Sequence, residues 1–111
     1  MSRKYIFVIA GSEKCPPCKE FSTNVMPELK PWLTKKGIEW AELKIRAFDV
    51  DDFSEIHPYL PEIVSKFPTI LMIPLEEWLN RDSELKGYIY WPRRKERTLS
   101  NAKEWIRSLL S

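Results

Sequence analysis

The sequence predicts an α/β fold in which a mixed central sheet is flanked by helices, in the order β-α-β-α-β-β-α. Three observations carry this. The run KYIFVIAG (Lys4–Gly11) is continuously apolar after its first residue and ends in Gly, the pattern of a buried, central strand. Apolar residues at helical spacing follow, and then an alternating segment. That strand–helix–strand unit demands a parallel pair with a right-handed crossover. Two apolar segments late in the chain lie close enough in sequence for an antiparallel pair.

Each element has its own signal. After the first strand SEK forms a loop, and the next helix opens at the cysteine pair. Phe21, Val25, Leu29, Trp32 and Leu33 recur at helical spacing. Pro27 and Pro31 lack an N–H and must kink or split this helix. Lys35–Gly37 is a stop, with cations in the last turn and Gly after it. IEWAELKI (Ile38–Ile45) alternates as a strand, and RAFDV extends it toward DVDD (Asp49–Asp52). Ser54–Phe67 is broken by Pro58 and Pro61, leaving a short helix mainly from Pro61 to Lys66. Pro68–Pro74 is a strand, EEWLNRDSELK a polar connection, Gly87–Trp91 a strand and PRRKERT a basic turn. The last helix puts Leu99, Ala102, Trp105, Ile106, Leu109 and Leu110 on one face, with Ser100 or Thr98 as N-cap.

The totals narrow the function classes. At 111 residues the expectation is one domain over 1–111, large enough for a core without disulfide staples. Hydrophobic residues at 43% and charged residues at 31% describe a globular chain. A net charge of +2 gives no global pull toward nucleic acid or membrane, so neither is expected as a partner. No apolar run approaches the roughly 18 residues of a membrane span. MSRKYIFVIAG mimics a signal peptide, but its apolar part is too short and no small-residue cleavage site follows, so it reads as the first strand. A cytoplasmic monomer is expected. In a reducing compartment a Cys-x-x-Cys pair is more often catalytic or metal-binding than structural.

The chain's two cysteines sit in KCPPCKEF, Lys14–Phe21. A closed zinc site needs about four ligands. Beyond Cys15 and Cys18 there is a single histidine, His57, read as a surface residue, so no metal is expected. As a staple the pair would do little, because so small a loop removes little chain entropy. The redox reading fits. Cys15 lands at the first turn of a helix, where partial positive charge and free N–H groups favour thiolate. Lys14 and Lys19 add positive charge. The three-residue spacing brings Cys18 one turn further in, more buried, so that Cys15 is the exposed nucleophile and Cys18 resolves the mixed disulfide. Pro16 and Pro17 are tolerated in the first turn. They stiffen the ring, and each deletes an N–H that could have stabilised thiolate, which makes the couple more reducing.

With CPPC after the first strand and FPTI (Phe67–Ile70) opening a later one, the chain resembles the thioredoxin superfamily over nearly its whole length. DVDD and RTLSNAKEWI add to the likeness. The resemblance implies the compact thioredoxin-like fold and a protein-disulfide reductase, a dithiol electron-transport protein. It needs no cofactor, takes protein disulfides as substrates, and is recharged by a reductase or glutathione. It also implies a cis peptide bond at Pro68, set against the cysteines, with Phe67, Pro68 and Thr69 binding substrate. CPPCKEF is similar to the tryparedoxin and nucleoredoxin motif, with Lys14 where those carry Trp. The Gly-Gly-Asp stretch with which glutaredoxins hold glutathione has no counterpart near GYIYWPRRKERT. The buried Asp that thioredoxins carry on the first strand is here Ile9, and its lysine partner falls near Ala47, so Cys18 lacks that internal base. A non-catalytic binding or scaffold subunit is the alternative.

Other features have ordinary readings. Pro61 and Pro74 compete with Pro68 for the cis position, but Pro68 begins an apolar run. RRKER reads as a solvated loop rather than a site for an acidic partner or nucleic acid. DVDD lacks the Gly and distal Glu of an EF-hand. Trp78 and Trp91 read as core or rim.

Overall fold

The computed structural model describes residues 4–47 and 49–110. Arg3 of the leader-like start and Phe48 of RAFDV lie outside the described residues. The elements are β1 (Tyr5–Ser12), α1 (Pro16–Asn24), α2 (Met26–Lys35), β2 (Glu39–Ile45), a 3-10 turn (Val50–Glu55), α3 (Leu60–Ile63), β3 (Thr69–Pro74), α4 (Leu75–Leu79), β4 (Ile89–Tyr90) and α5 (Leu99–Leu110). The strands form a four-stranded sheet in the order β2-β1-β3-β4. β1 runs parallel to β2, from Ile6↔Glu39 to Ser12↔Ile45. β3 runs antiparallel to β1, from Tyr5↔Pro74 to Ala10↔Thr69. β4 pairs antiparallel with β3 at Leu71↔Tyr90 and Met72↔Ile89. This mixed sheet with helices on both faces is the expected α/β class and is consistent with a thioredoxin-like fold.

The continuous apolar run of β1 follows from its central place. Successive side chains of a strand point to opposite faces, and here both faces are covered. Phe7 and Ile9 enter one core with Phe21 of α1, Met26, Leu29 and Leu33 of α2, and Trp105 and Ile106 of α5. Ile6, Val8 and Ala10 enter the other, with Phe53 of the 3-10 turn, Leu60 and Ile63 of α3, and Leu71 and Ile73 of β3. Full burial of an aliphatic or aromatic side chain contributes about 1.5–3 kcal/mol. β1 therefore anchors both layers.

Several elements differ from the sequence reading, each for a physical reason. The long helix splits at Val25, which closes α1 and opens α2. Pro27 sits in the first turn of α2, where its missing N–H costs nothing. Pro31 lies inside α2 on its exposed side without ending it. The polar connection begins as α4, with Glu76 and Glu77 in its first turn, where acidic side chains suit a helix start. β4 is only Ile89–Tyr90, although Trp91 N–H extends the pairing by donating to Ile70 O at 2.8 Å. α3 spans Leu60–Ile63 rather than reaching Lys66. Of the two N-cap candidates for α5, Thr98 is the one whose side chain caps it: its Oγ1 accepts the Asn101 N–H at 3.2 Å.

His57 is the clearest correction. It is fully buried, not on the surface. Its Nδ1 accepts the Tyr59 N–H at 3.2 Å, and its Nε2 lies 3.1 Å from Glu77 O. An acceptor at Nδ1 leaves Nε2 as the N–H that donates to Glu77 O, so one neutral tautomer satisfies both contacts. The ring also stacks on Trp78 at 5.9 Å between centroids. His57 thus ties the segment before α3 to α4. Flanking Pro58 and a lone histidine gave no signal of this, because both partners are distant in sequence or are backbone atoms.

His57→Leu would fill much of the space but leave the Tyr59 N–H without its Nδ1 acceptor and remove the Nε2 contact to Glu77 O. Each unsatisfied buried group costs about 1–3 kcal/mol. Urea unfolding should show a loss of about 2 kcal/mol or more. A loss under about 0.5 kcal/mol, the scale of an ordinary surface change, would refute the structural role.

Candidate functional site

The site begins where β1 ends. Ser12, the last residue of β1, is fully buried. Its hydroxyl donates to Ala47 O at 2.6 Å and accepts the Lys14 N–H at 3.2 Å. Its carbonyl accepts the Cys15 N–H at 3.1 Å, while Glu13 N–H reaches Ile45 O at 2.8 Å. These bonds hold the short loop that delivers Cys15 to the start of α1. Ser12 was missed in the sequence, where SEK read as an unremarked loop. The available signal was a hydroxyl two residues before an amide that needs a partner, the pattern of a Ser/Thr turn.

Cys15 is the N-cap of α1 and has extended backbone angles, φ −108° and ψ 104°. Pro16 and Pro17 occupy the first two helical positions and are exposed, as is Lys14. A helix start normally offers free N–H groups to its cap. Here the prolines remove two of them, and the next amide, Cys18 N–H, points at Cys15 Sγ at 3.3 Å. Cys15 and Cys18 are joined as a disulfide, with Cα atoms 5.3 Å apart. The expectation of an exposed Cys15 needs correcting. In this oxidised state Cys15 is 5% exposed and Cys18 3%. The bond itself covers part of each sulfur.

Gly11 explains how Cys18 fits. A Cβ at Gly11 would lie 3.1 Å from both Cβ and Sγ of Cys18. Any larger residue there would press on the sulfur. A glycine ending a strand just ahead of a cysteine pair is the sequence mark of such a close approach.

β3 brings in the second half of the site. Ala10 pairs with Thr69, so the start of β3 lies beside the strand residue that precedes Gly11, and Pro68 leads into it. The Phe67–Pro68 peptide is cis. Thr69 is buried, and its hydroxyl donates to Lys66 O. Pro68 and Thr69 line an open groove of about 860 Å³. Phe67 does not line it. Its ring packs against Phe53, 6.0 Å between centroids, on the α3 side of the sheet.

Further groove walls come from Glu20 of α1, from Tyr90 and Trp91, and from the loop after β4. Tyr90 donates its hydroxyl to Ile63 O at 2.6 Å. Burial, and then the neighbouring Tyr88, push the Tyr90 phenol up from its ordinary value, so it remains a donor at neutral pH. Trp91 donates Nε1–H to Lys95 O at 2.8 Å, and its ring meets Trp105 and Phe21 edge-on. That anchors the loop carrying Arg93, Arg94 and Arg97.

Ile9 lies 2% exposed in the apolar core. Ala47 contributes only its carbonyl, to Ser12. Among the described residues no group of three or more His, Cys, Asp or Glu side chains is placed to hold a metal ion. Among the same residues no helix is long and apolar enough to cross a membrane. No family model matches the chain, and no curated protein matches it. The fold and site define a small α/β protein with a CXXC-spaced disulfide at a helix start, a state compatible with redox function.

Gly11→Ala should force Cys18 to shift by a few tenths of an ångström and slow closure of the disulfide in the prereduced protein. Stopped-flow oxidation followed by tryptophan fluorescence would read this. An unchanged closure rate would show that the contact does not set the position of Cys18.

Proposed function

We propose that the chain is a thioredoxin-superfamily thiol–disulfide oxidoreductase that reduces protein disulfides. The observation that carries this reading is the Cys15–Cys18 disulfide at the start of α1, resting on Gly11 beside the Ala10–Thr69 pair at which β3 opens after a cis Phe67–Pro68 peptide. In the reduced protein, the Cys15 thiolate attacks one sulfur of a substrate disulfide. A Cys15–substrate disulfide forms, and the other substrate sulfur leaves as thiolate and takes up a proton. Cys18, deprotonated by solvent or a partner group in the absence of a carboxylate at Ile9, attacks Cys15 Sγ. The second substrate thiol leaves and the Cys15–Cys18 disulfide closes. Two electrons pass from the cysteine pair to the substrate. An external thiol reductant, either a reductase or glutathione, restores the dithiol.

The roles follow from position. Cys15 is the N-cap and accepts an amide N–H, while Cys18 is one turn in, against Gly11. A second reading, a binding or scaffold subunit with an incidental cysteine pair, draws on the low exposure of Cys15. Insulin-disulfide reduction, with Cys15→Ser as control, separates the two. Turnover that disappears in Cys15→Ser supports the oxidoreductase, and its absence in the wild type supports the scaffold. In the same framework Cys18→Ser should trap mixed disulfides with substrates on a non-reducing gel, and Cys15→Ser should not. The reverse pattern would exchange the two roles.

The prolines make a separate, quantitative prediction. With only one amide donated to Cys15 Sγ, the couple should lie nearer about −270 mV than about −120 mV. Pro17→Ala restores an N–H in the first turn and should shift the couple in the oxidising direction. Equilibration against a glutathione buffer measures both. A wild-type value above roughly −200 mV, or a Pro17→Ala value no more oxidising than wild type, would contradict the amide account.

A further inference from the structure

The loop after β4 reads as a solvated basic turn in the sequence. In the structure it is one wall of the groove that has Pro68 and Thr69 at its edge. Five side chains lining this groove are cations: Lys66, Arg93, Arg94, Lys95 and Arg97. Two are carboxylates, Glu20 and Glu96. The local excess of positive charge is larger than the +2 of the whole chain, so the remainder of the molecule is slightly acidic. Lys95 pairs with Glu104 at 3.7 Å. Lys66, Arg93, Arg94 and Arg97 have no ion-pair partner among the described residues, and all four are exposed. A cluster of unneutralised cations in a concave surface focuses field and attracts anions.

We infer that this groove selects the substrate: an acidic, extended polypeptide segment whose carboxylates meet Arg93, Arg94 and Arg97 while its disulfide reaches Cys15. This rests on the oxidoreductase reading above, and adds to it the class of substrate. Three features favour a polypeptide over other anions. Thr69 of the groove pairs with Ala10, the neighbour of Gly11 on which Cys18 rests, and Glu20 of the cysteine helix α1 lines the same groove, so the groove runs from the elements that carry the cysteine pair. Inorganic phosphate and nucleic acid carry no disulfide to exchange. Glu20 and Glu96 in the walls oppose a continuous run of phosphates, but they tolerate spaced carboxylates.

The test uses the prereduced full chain in single turnover, so the protein's own dithiol is the reductant. The probes are symmetric peptide disulfides of equal length, their cysteine flanked by Glu, by Ser or by Lys. Glutathione disulfide and a neutral small disulfide, hydroxyethyl disulfide, complete the set. At low salt the Glu-flanked disulfide should react about tenfold or more faster than the Lys-flanked one, as electrostatic steering allows. The advantage should shrink in high salt. In the triple variant Arg93→Gln/Arg94→Gln/Arg97→Gln the ratio of Glu to Lys rates should collapse to about twofold or less.

A second arm does not depend on redox chemistry. The Cys15→Ser/Cys18→Ser chain, which cannot exchange, should bind a Glu-rich peptide by calorimetry, and adding the three Gln substitutions should abolish that binding. If the wild type reduces no disulfide at all but the Cys-less chain still binds the Glu-rich peptide, the redox reading falls and the groove assignment survives. Equal rates for the Glu and Lys probes together with no binding would overturn the groove assignment while leaving the redox reading intact. So would glutathione disulfide showing the same salt and variant dependence as the Glu peptide, since that would mark a site for a small thiol. Tighter binding of a single-stranded oligonucleotide than of the Glu-rich peptide would make it a nucleic-acid groove and overturn the proposal.

Discussion

Burial of β1 on both faces is the constraint from which the site follows. A strand at the centre of a sheet, with helices on either side, must send apolar side chains both ways, and β1 does so from Ile6 to Ala10. That fixes its register against β2 and β3, because a slip of one residue would exchange the two cores. Fixing the register also fixes where the strand ends. The chain leaves the sheet at Gly11 and Ser12, between the end of β2 at Ile45 and the start of β3 at Thr69. The cysteine loop is therefore held by the strand buried in both cores, although its own residues include exposed Glu13, Lys14, Pro16 and Pro17. A cysteine pair on so short a loop takes its fixed position from that support. Sulfur exchange requires the two sulfurs to meet within bonding distance, and positions set by core packing reach such tolerances better than positions set by a free loop.

The elements legible in the sequence were those whose signals are local. The apolar run of β1, the alternation of β2, the amphipathic face of α5 and the proline-broken middle all rest on neighbours along the chain. The cysteine spacing was likewise readable, because a helix N-cap followed by prolines is a local pattern. What escaped depended on distant partners. His57 reads as a surface residue until Glu77 O and Trp78 arrive from α4. Arg81, within a stretch that read as a polar connection, donates to Ile56 O and Glu55 O at 2.6 and 3.0 Å and so holds the end of the 3-10 turn. Phe67 sits next to the proline that faces the site, yet its ring belongs to the opposite core. In a strand-entry segment a difference of one residue changes the face, and sequence proximity to Pro68 could not reveal that.

The short helical break at Val25 shows a similar limit. Two prolines marked the segment as broken, but not where. The chain breaks so that Pro27 falls in a first turn, where no N–H is missed, and it keeps Pro31 on an exposed side. That choice keeps Phe21 on α1 and Leu29 and Leu33 on α2 directed at the same core. The break also leaves Ser22 and Lys30 free to reach Glu42 of β2, at 3.0 and 3.2 Å, which fastens both helices to the outer strand of the parallel pair. β2 is exposed at Glu39, Trp40 and Lys44, half-buried at Ala41, Glu42 and Leu43, and buried at Ile45. A charged and aromatic face, with Lys30 set over Trp40 at 4.9 Å, also makes that edge a poor template for another strand.

In the proposed function, reactivity and selectivity fall to separate parts of this site. The thiolate of Cys15 is governed at the helix start, by how many amides the chain leaves available, and the prolines reduce that number to the Cys18 N–H. No groove cation is hydrogen-bonded to either sulfur among the described residues. The groove's charge therefore acts first on the encounter between molecules. Exposed charges more than about 8 Å apart are largely screened at physiological ionic strength, so a cation in the outer loop has little leverage on a sulfur beyond that range, but it still meets an approaching anion directly. The division has a consequence for how the site can vary. On the proposed reading, changes in the loop from Arg93 to Arg97 would alter which segment is captured without rebuilding the helix start, because the loop is anchored through Trp91 and α5 rather than through α1's first turn. Changes at Pro16 or Pro17 alter the amide supply at Cys15 without moving the groove. A fold that builds the two from different elements would let the two properties be tuned independently.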